Sequence, residues 1–507
     1  MDLPREDSPP LVRTTAGAVR GEWVDGAARF LGIPYAEPPF GELRFQSPVP
    51  RRPWEGVLDA RQYGPTPQRE APGGATTIPE PSIPGDDILS VNVFTPRPGD
   101  PDAALPVLVW IHGGGYVSGS PASPWYDGRS FSRDGVVTVT LGYRLGFEGF
   151  GWLPDAPQNR GVRDWVLALE WVRDTIADFG GDPSRVTLAG QSAGGGAVMT
   201  LLTLPAAEGL FSQAVSVSGA PADISVDDAR SKAEDIAGRL GVPLTAAAFA
   251  AVPEADLIAA QVLGFEGRAM SNLVEVLALI GELNGSLDLG PVVDGEYVVD
   301  TVENGIAAGR GSGVPLIIGA TQDEFSGAFT ALRDSVDLLP AHDVLTHLGV
   351  DGAIIDDFIA CQPGRSSSRI AGQYITDVMF RARIIDWMRL REGEPTWTYD
   401  FTWRSAVSGL AEHCIDVPFL FDVLDADGVE RVLGPRPPAA LADAVRGAWV
   451  RFIGSGDPGW DAERVTVLDV IGRTEDTMVS ARVLAAAARH PRSMPEDPDA
   501  DVSAGRA

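Results

Sequence analysis

The chain has 507 residues with 70 acidic and 40 basic side chains, a formal net charge of −30, so nucleic acid and anionic membranes, which repel a negative surface, are excluded as partners. Hydrophobic residues at 44% and charged residues at 22% are the proportions of a soluble globular chain, one long enough to bury a large core and close a pocket. Two cysteines, Cys361 and Cys414, make no disulfide framework, and no cysteine or histidine spacing suggests zinc; the expectation is reduced thiols, no metal and a cytoplasmic location.

Along the chain, the N-terminal MDLPREDSPP is acidic and rich in proline. It lacks the basic start and apolar segment of a secretion signal, and no apolar run approaches a membrane-spanning length. Lys232 is the only lysine. Residues 1–10 and 492–507 read as disordered tails, being polar and charged with proline. A loop rich in proline and glycine lies between Arg69 and Asp86. The run VLVWI, ending at Ile111, reads as a buried strand, and a glycine triplet follows at residues 113–115. VVTVTLGY before Arg144 is a second strand. From Gly161 to Phe179 apolar residues recur at helical spacing (Trp165, Val166, Leu169, Val172, Ile176), and Gly180 and Gly181 stop the helix. RVTLAG before Gln191, FSQAVSVSG up to Gly219 and VPLIIGAT before Gln322 are further strands. Strands alternating with helices indicate a mainly parallel sheet covered on both faces. Two stretches rich in alanine and leucine, 226–285 and 335–395, read as helical cap insertions. They leave a catalytic core at about 11–225, 286–334 and 396–480 within one domain.

The most informative segment is LAGQSAGGGAV, residues 188–198. Gly190-Gln191-Ser192-Ala193-Gly194 places a serine on a sharp strand-to-helix turn. Such a turn demands small neighbours, because a Cβ at the glycine positions would collide with nearby backbone. The helix that follows points its N–H groups toward the serine. A carbonyl attacked by Ser192 would develop negative charge on oxygen. The loop after Ile111 and the start of that helix supply donors for it, assigned to Gly114, Gly115 and Ala193. The loop is no phosphate cradle, since no lysine follows it. His112 is read as a structural histidine beneath the loop.

A serine needs a histidine to take its proton and a carboxylate to orient that histidine. Of the five histidines, His342, His347, His413 and His490 follow Ser192. His342 and His347 fall in the second cap stretch and His490 in the tail. His413 sits in SGLAEHCIDVPFLFD, a loop entering an apolar segment, where catalytic side chains tend to lie. The adjacent carboxylates Asp323 and Glu324 follow the strand VPLIIGAT, and the residues alone leave both open as the acid.

Taken in order, VRTTAGAVRG, FLGIPYAEPPFGELRF, DDILSVNVFTP, WIHGGGYVSGS, GYRLGFEGF, LEWVRDTIADFGGDPSRVTLAGQSAGG, LGPVVDG, IIGATQDE and EHCIDVPFLF resemble the type-B carboxylesterases, a family that includes cholinesterases and bacterial para-nitrobenzyl esterases. The resemblance covers most of residues 11–460. It implies the α/β-hydrolase fold, no cofactor, a small-molecule ester substrate and a covalent acyl-enzyme on Ser192. It also implies Glu324 rather than Asp323 as the acid, and His413 as the base. Arg44 with Asp86 or Asp87, and Arg144 with Asp164, resemble the family's structural ion pairs, and Ser218 matches a supporting position near the acid. Two departures stand out: Gln191 replaces the family's usual glutamate, as in some members that hydrolyse aryl carbamates, and Ile88 replaces a cysteine of secreted members. Near the C-terminus the sequence keeps the family's GDP but loses the pattern after it, and no last strand is assigned. Carbamate or amide hydrolysis by the same triad is the alternative activity. A binding or adhesion protein of this fold would have lost the nucleophile, which is present here. Natural substrate and oligomeric state are not encoded in any motif.

Overall fold

The apolar runs do become strands. A computed structural model describes residues 8–67, 76–262, 287, 289–470 and 476–489. His490, most of both tails, and residues 263–285 of the first helical stretch lie outside the described residues. Strands β1 (Glu22–Val24), β2 (Ala27–Pro34), β3 (Ser90–Thr95), β4 (Leu105–Ile111), β5 (Val137–Leu141), β6 (Gly181–Gln191), β7 (Gln213–Val217), β8 (Leu316–Thr321), β9 (Thr396–Phe401) and β10 (Val465–Leu468) form one sheet. Their spatial order is β1-β2-β3-β5-β4-β6-β7-β8-β9-β10. From β5 to β10 all neighbours are parallel, and β1 to β3 add an antiparallel edge. β10 is the strand that the sequence left unassigned; it pairs with β9 from Thr398↔Val465 to Phe401↔Leu468.

The valines, isoleucines and leucines of the central strands are buried on both faces, as parallel sheets require. Along β4 the side chains alternate between two cores. Val107 and Val109 join one with Trp165, Leu169 and Val172. Leu108 and Trp110 join the other with Phe421, Trp449 and Phe452. Helix α1 (Arg160–Thr175) supplies the first face, as its periodicity predicts, and ends through a short turn into Gly180 at φ 87°. Helix α2 (Ala193–Thr203) is buried throughout. The two stretches read as insertions are helical where described. The first holds α3 (Val226–Leu240) and two shorter helices. The second holds α4 (Ala341–His347), α5 (Gly352–Ala360), α6 (Ser367–Thr376) and α7 (Ala382–Leu390), with a core of its own that includes Phe329, Val344, Phe358 and Ile370. Among the described residues no helix is long and apolar enough to cross a membrane.

Two buried ionic clusters fix the helices to the sheet. Arg144 meets Asp164 at 2.6 Å, with both side chains fully covered, as the resemblance implies. Arg381 sits between Asp377 at 3.0 Å and Asp400 at 2.9 Å, and donates to the carbonyl of Thr477. The other implied pair is corrected. Arg44 binds Glu148 at 2.6 Å, not Asp86 or Asp87, while Asp87 pairs with Arg51 at 3.0 Å. The reason is geometric: the Arg44 guanidinium also donates to the carbonyls of Ala250 and Val252, which turn it away from the 86–87 loop.

Register decides where chemistry can gather. Ile111 lies beside Gly190, Gln191 beside Val217, and Val217 beside Gly319. The carboxyl ends of β4, β6, β7 and β8 are therefore level. The loops leaving them meet at one edge, where open parallel sheets place their sites.

Candidate active site

Ser192 stands between β6 and α2 at φ 59°, ψ −125°, a conformation that costs a non-glycine residue energy and persists only when surroundings enforce it. They do. The Ser192 N–H donates to Val217 O at 2.9 Å, and Ser192 O accepts from Gly196 N and Ala220 N. A Cβ on Gly194 would lie 2.1 Å from Ile111 O, and one on Gly190 would lie 2.4 Å from Gly194 O. The sequence reading of these glycines is thus met in space: they let strand, turn and helix pack at backbone contact.

The glycine triplet curls over this turn. A Cβ on Gly113 would sit 3.0 Å from Ser192 Cβ, so the loop rests on the serine. Gly114 has φ 113°, and a Cβ there would strike Ser118 O at 2.2 Å. Among the described residues the N–H groups of Gly114 and Gly115 donate to no backbone acceptor, and that of Ala193, at the first turn of α2, has no acceptor within its helix. The three are available to one oxyanion. His112 holds the loop from beneath, with Nδ1 2.8 Å from Gly113 O and its ring stacked on Tyr143. It is a support, as expected.

The adjacent carboxylates diverge. Glu324 is buried, with Oε1 accepting from Thr321 N at 2.8 Å and Oε2 in a short hydrogen bond with His413 Nδ1. The His413 N–H also donates to Glu324 O at 2.9 Å. Asp323 points elsewhere: Oδ2 accepts from Ala411 N at 3.0 Å and lies 3.7 Å from Arg404. One carboxylate therefore addresses the imidazole and the other holds the loop that carries it. His342 and His347 are exposed on α4, away from this arrangement. Ser218 follows β7 and is buried, but its hydroxyl has no hydrogen-bond partner among the described residues, so it bonds neither Glu324 nor His413.

Burial by itself would lower the His413 pKa, but the adjoining Cys414 and Glu324 outweigh it and hold the value well above the ordinary imidazole range. Three kinds of contact with the base escaped the sequence reading. Phe380 lies 5.2 Å from the imidazole, with Phe325 at 5.0 Å. A π-helical turn at Asp377–Arg381, between α6 and α7, carries Phe380 there; no local sequence signal marks such a turn. Asp416 is buried behind the base, accepts from Tyr399 Oη at 3.2 Å, and is pushed up to about 7 by burial and by the charge of Glu324. The third contact belongs to Gln191, whose Nε2 is 3.2 Å from His413 Nε2 and 3.1 Å from Cys414 Sγ. Among the described residues no hydrogen bond joins Ser192 Oγ to His413. A cavity of about 310 Å³ opens beside His413, bordered by Phe325, Gly327, Ala328, Val407 and Glu412. Cys361 and Cys414 are both unpaired.

A hydroxyl on an enforced turn, free N–H donors above it, and a carboxylate-bound imidazole beside it can together carry out acyl transfer. Comparison with known proteins points the same way. Residues 8–480 match the sequence pattern of the carboxylesterase family. The para-nitrobenzyl esterase of Bacillus subtilis is 34% identical over 488 residues, covering 89% of this chain and 91% of that one. The phenmedipham hydrolase of Pseudarthrobacter oxydans is 33% identical, covering 89% and 91%. A solved carboxylesterase of Geobacillus stearothermophilus superposes with a TM-score of 0.78 at 31% identity, covering 90% of this chain and 96% of that one.

Proposed function

Because the chain belongs to the carboxylesterase family and is a carboxylic ester hydrolase of the α/β-hydrolase fold, we propose that Ser192, His413 and Glu324 are its catalytic triad. His413 takes the Ser192 proton as the hydroxyl attacks the ester carbonyl. Nε2 is the accepting atom, since the carboxylate of Glu324 can only accept and so keeps the ring proton on Nδ1. The oxyanion of the tetrahedral intermediate rests on the N–H groups of Gly114, Gly115 and Ala193, where each donor contributes about 10²–10³ in rate. His413 then protonates the leaving alcohol. Water, activated by the same imidazole, releases the acid from the acyl-enzyme. No step calls for a metal or cofactor.

The observation that carries this reading is the pairing of Glu324 with His413 Nδ1 at the end of the sheet that also presents Ser192. A fluorophosphonate should label Ser192, and a short-chain para-nitrophenyl ester should release a burst of nitrophenol equal to the labelled enzyme. Labelling of a different serine overturns the assignment.

Aryl carbamate hydrolysis is a second reading, favoured by the similarity to a phenmedipham hydrolase and by Gln191 beside the serine. A panel of acyl-chain lengths set against aryl carbamates separates the two by kcat/KM. The reading also includes a cytoplasmic location, in keeping with two free thiols. It takes the chain as one catalytic unit bearing two helical insertions, with a small molecule as its partner.

A further inference from the structure

Gln191 is buried, and its amide lies between the glycine loop and the base. A Cβ on Gly113 would sit 2.9 Å from Gln191 Oε1, so the carbonyl end faces that loop. The nitrogen end faces His413 Nε2 at 3.2 Å and Cys414 Sγ at 3.1 Å. An amide nitrogen only donates. With the Nδ1 proton committed to Glu324, Nε2 of a neutral ring offers a lone pair and receives one of the two N–H groups, while the thiol sulfur receives the other. Nε2 is the atom that must take the serine proton, and in this arrangement its lone pair is occupied by Gln191.

Accepting the triad assignment above, we propose that Gln191 is a positioning residue that clasps the base loop to the nucleophile turn, favours the neutral base against the pull of Cys414 and Glu324, and must be exchanged for Ser192 Oγ when substrate enters. The exchange is local. Gln191 and Ser192 are consecutive, so rotation of the imidazole about its hydrogen bond to Glu324 carries Nε2 from the amide toward the hydroxyl. No bond is made or broken in the clasp itself.

The clasp acts against the carboxylate. A donor that binds the unprotonated nitrogen favours the neutral ring, whereas Glu324 favours the cation. The other groups facing or adjoining His413 are Cys414, Asp416 and Glu412 on its own loop, and the uncharged Phe325 and Phe380. Cys414 also hydrogen-bonds the imidazole, in the sense that favours the cation, and Gln191 is the group that offers Nε2 an amide donor. Replacing the amide by a carboxylate reverses the sign of this one contact without changing its reach.

The test is the acid limb of kcat/KM against pH. In Gln191→Glu the limb midpoint should move up by about one pH unit, the size expected for a carboxylate near a titrating imidazole. In Gln191→Met, which keeps length and loses both donors, it should move up by a few tenths of a unit. Thermal melting and stoichiometric phosphonate labelling confirm that each variant retains a folded site. If wild type labels at Ser192 and neither variant shifts the limb, the clasp is wrong while the triad stands. A fall in plateau activity with an unmoved limb likewise overturns it, because that is the mark of a packing role. If wild type labels at another serine, the triad itself has failed.

Discussion

The nucleophile turn and the base loop reach the same point in space by different means. Ser192 is held by backbone: two adjacent strands in register, its own N–H and C=O both engaged, and glycines that admit main chain to within contact. His413 is held by side chains from far along the sequence. Glu324 grips its ring, Asp323 grips Ala411 in its loop, and Phe380 covers it from a π-helical turn that Arg381 anchors to Asp400. Backbone positioning is local and rigid, whereas side-chain positioning is long-range and can be taken apart one group at a time. Substitutions in the two regions should therefore fail differently.

The largest effect is expected at the turn. Ser192→Ala should lower kcat by about 10⁴–10⁶, since loss of a triad nucleophile leaves only binding and the oxyanion donors. It should leave the melting temperature near wild type, because among the described residues no hydrogen bond uses the hydroxyl. A variant that keeps a tenth of the activity removes Ser192 from the mechanism.

On the base side the two carboxylates should separate orientation from anchoring. Glu324→Gln should cost about 10³–10⁴ in kcat, because an amide can present an N–H to the ring and favour the wrong tautomer. Asp323→Asn should cost less than about tenfold, since its amide oxygen can still accept from Ala411 N. With Cys414 and Glu324 holding the imidazole pKa high, kcat/KM in the wild type should be lost as pH falls through a value above 6.5, where His413 becomes charged. Steady-state kinetics on folded variants check all three statements. A crippled Asp323→Asn beside an active Glu324→Gln reverses the assignment.

Arg381→Met tests whether the base loop depends on the cap. It leaves Asp377 and Asp400 as buried, unpaired carboxylates, a change that costs about 3–5 kcal/mol in such clusters. Denaturant unfolding should show that loss, and activity should fall with the folded fraction. Unchanged stability means that the cluster does not anchor the turn carrying Phe380.

The smallest effect concerns Asp416. Its folded pKa of about 7 stands above the unfolded value of about 3.8, so the native state binds the proton more tightly than the unfolded chain. Stability is penalised as pH rises from about 4, and the penalty is complete above about 7. Asp416→Asn removes the ionisation while keeping an acceptor for Tyr399. The variant should gain on wild type by about 1–3 kcal/mol between pH 5 and pH 8. Melting curves at the two pH values decide it, and an equal difference at both rules out a proton held by Asp416.

Much of this molecule is legible in its sequence because the determinants are local. Short continuous apolar runs placed the central strands. A 3.6-residue period placed α1, and glycines around Ser192 placed the strained turn, since only that turn needs them there. Position along the chain, with the family motif, singled out His413. Tertiary structure alone decided the rest. β10, four residues long and flanked by charged residues, becomes a strand because β9 offers an open edge. Arg44 chose Glu148 because carbonyls more than 200 residues away turned its guanidinium. The different directions of Asp323 and Glu324 follow from how the 410–413 loop packs on β8, which no spacing records. The contact of Gln191 with His413 joins residues 222 positions apart. Backbone conformation is set by near neighbours, but the partner of a side chain is set by whatever the completed fold brings within hydrogen-bond reach.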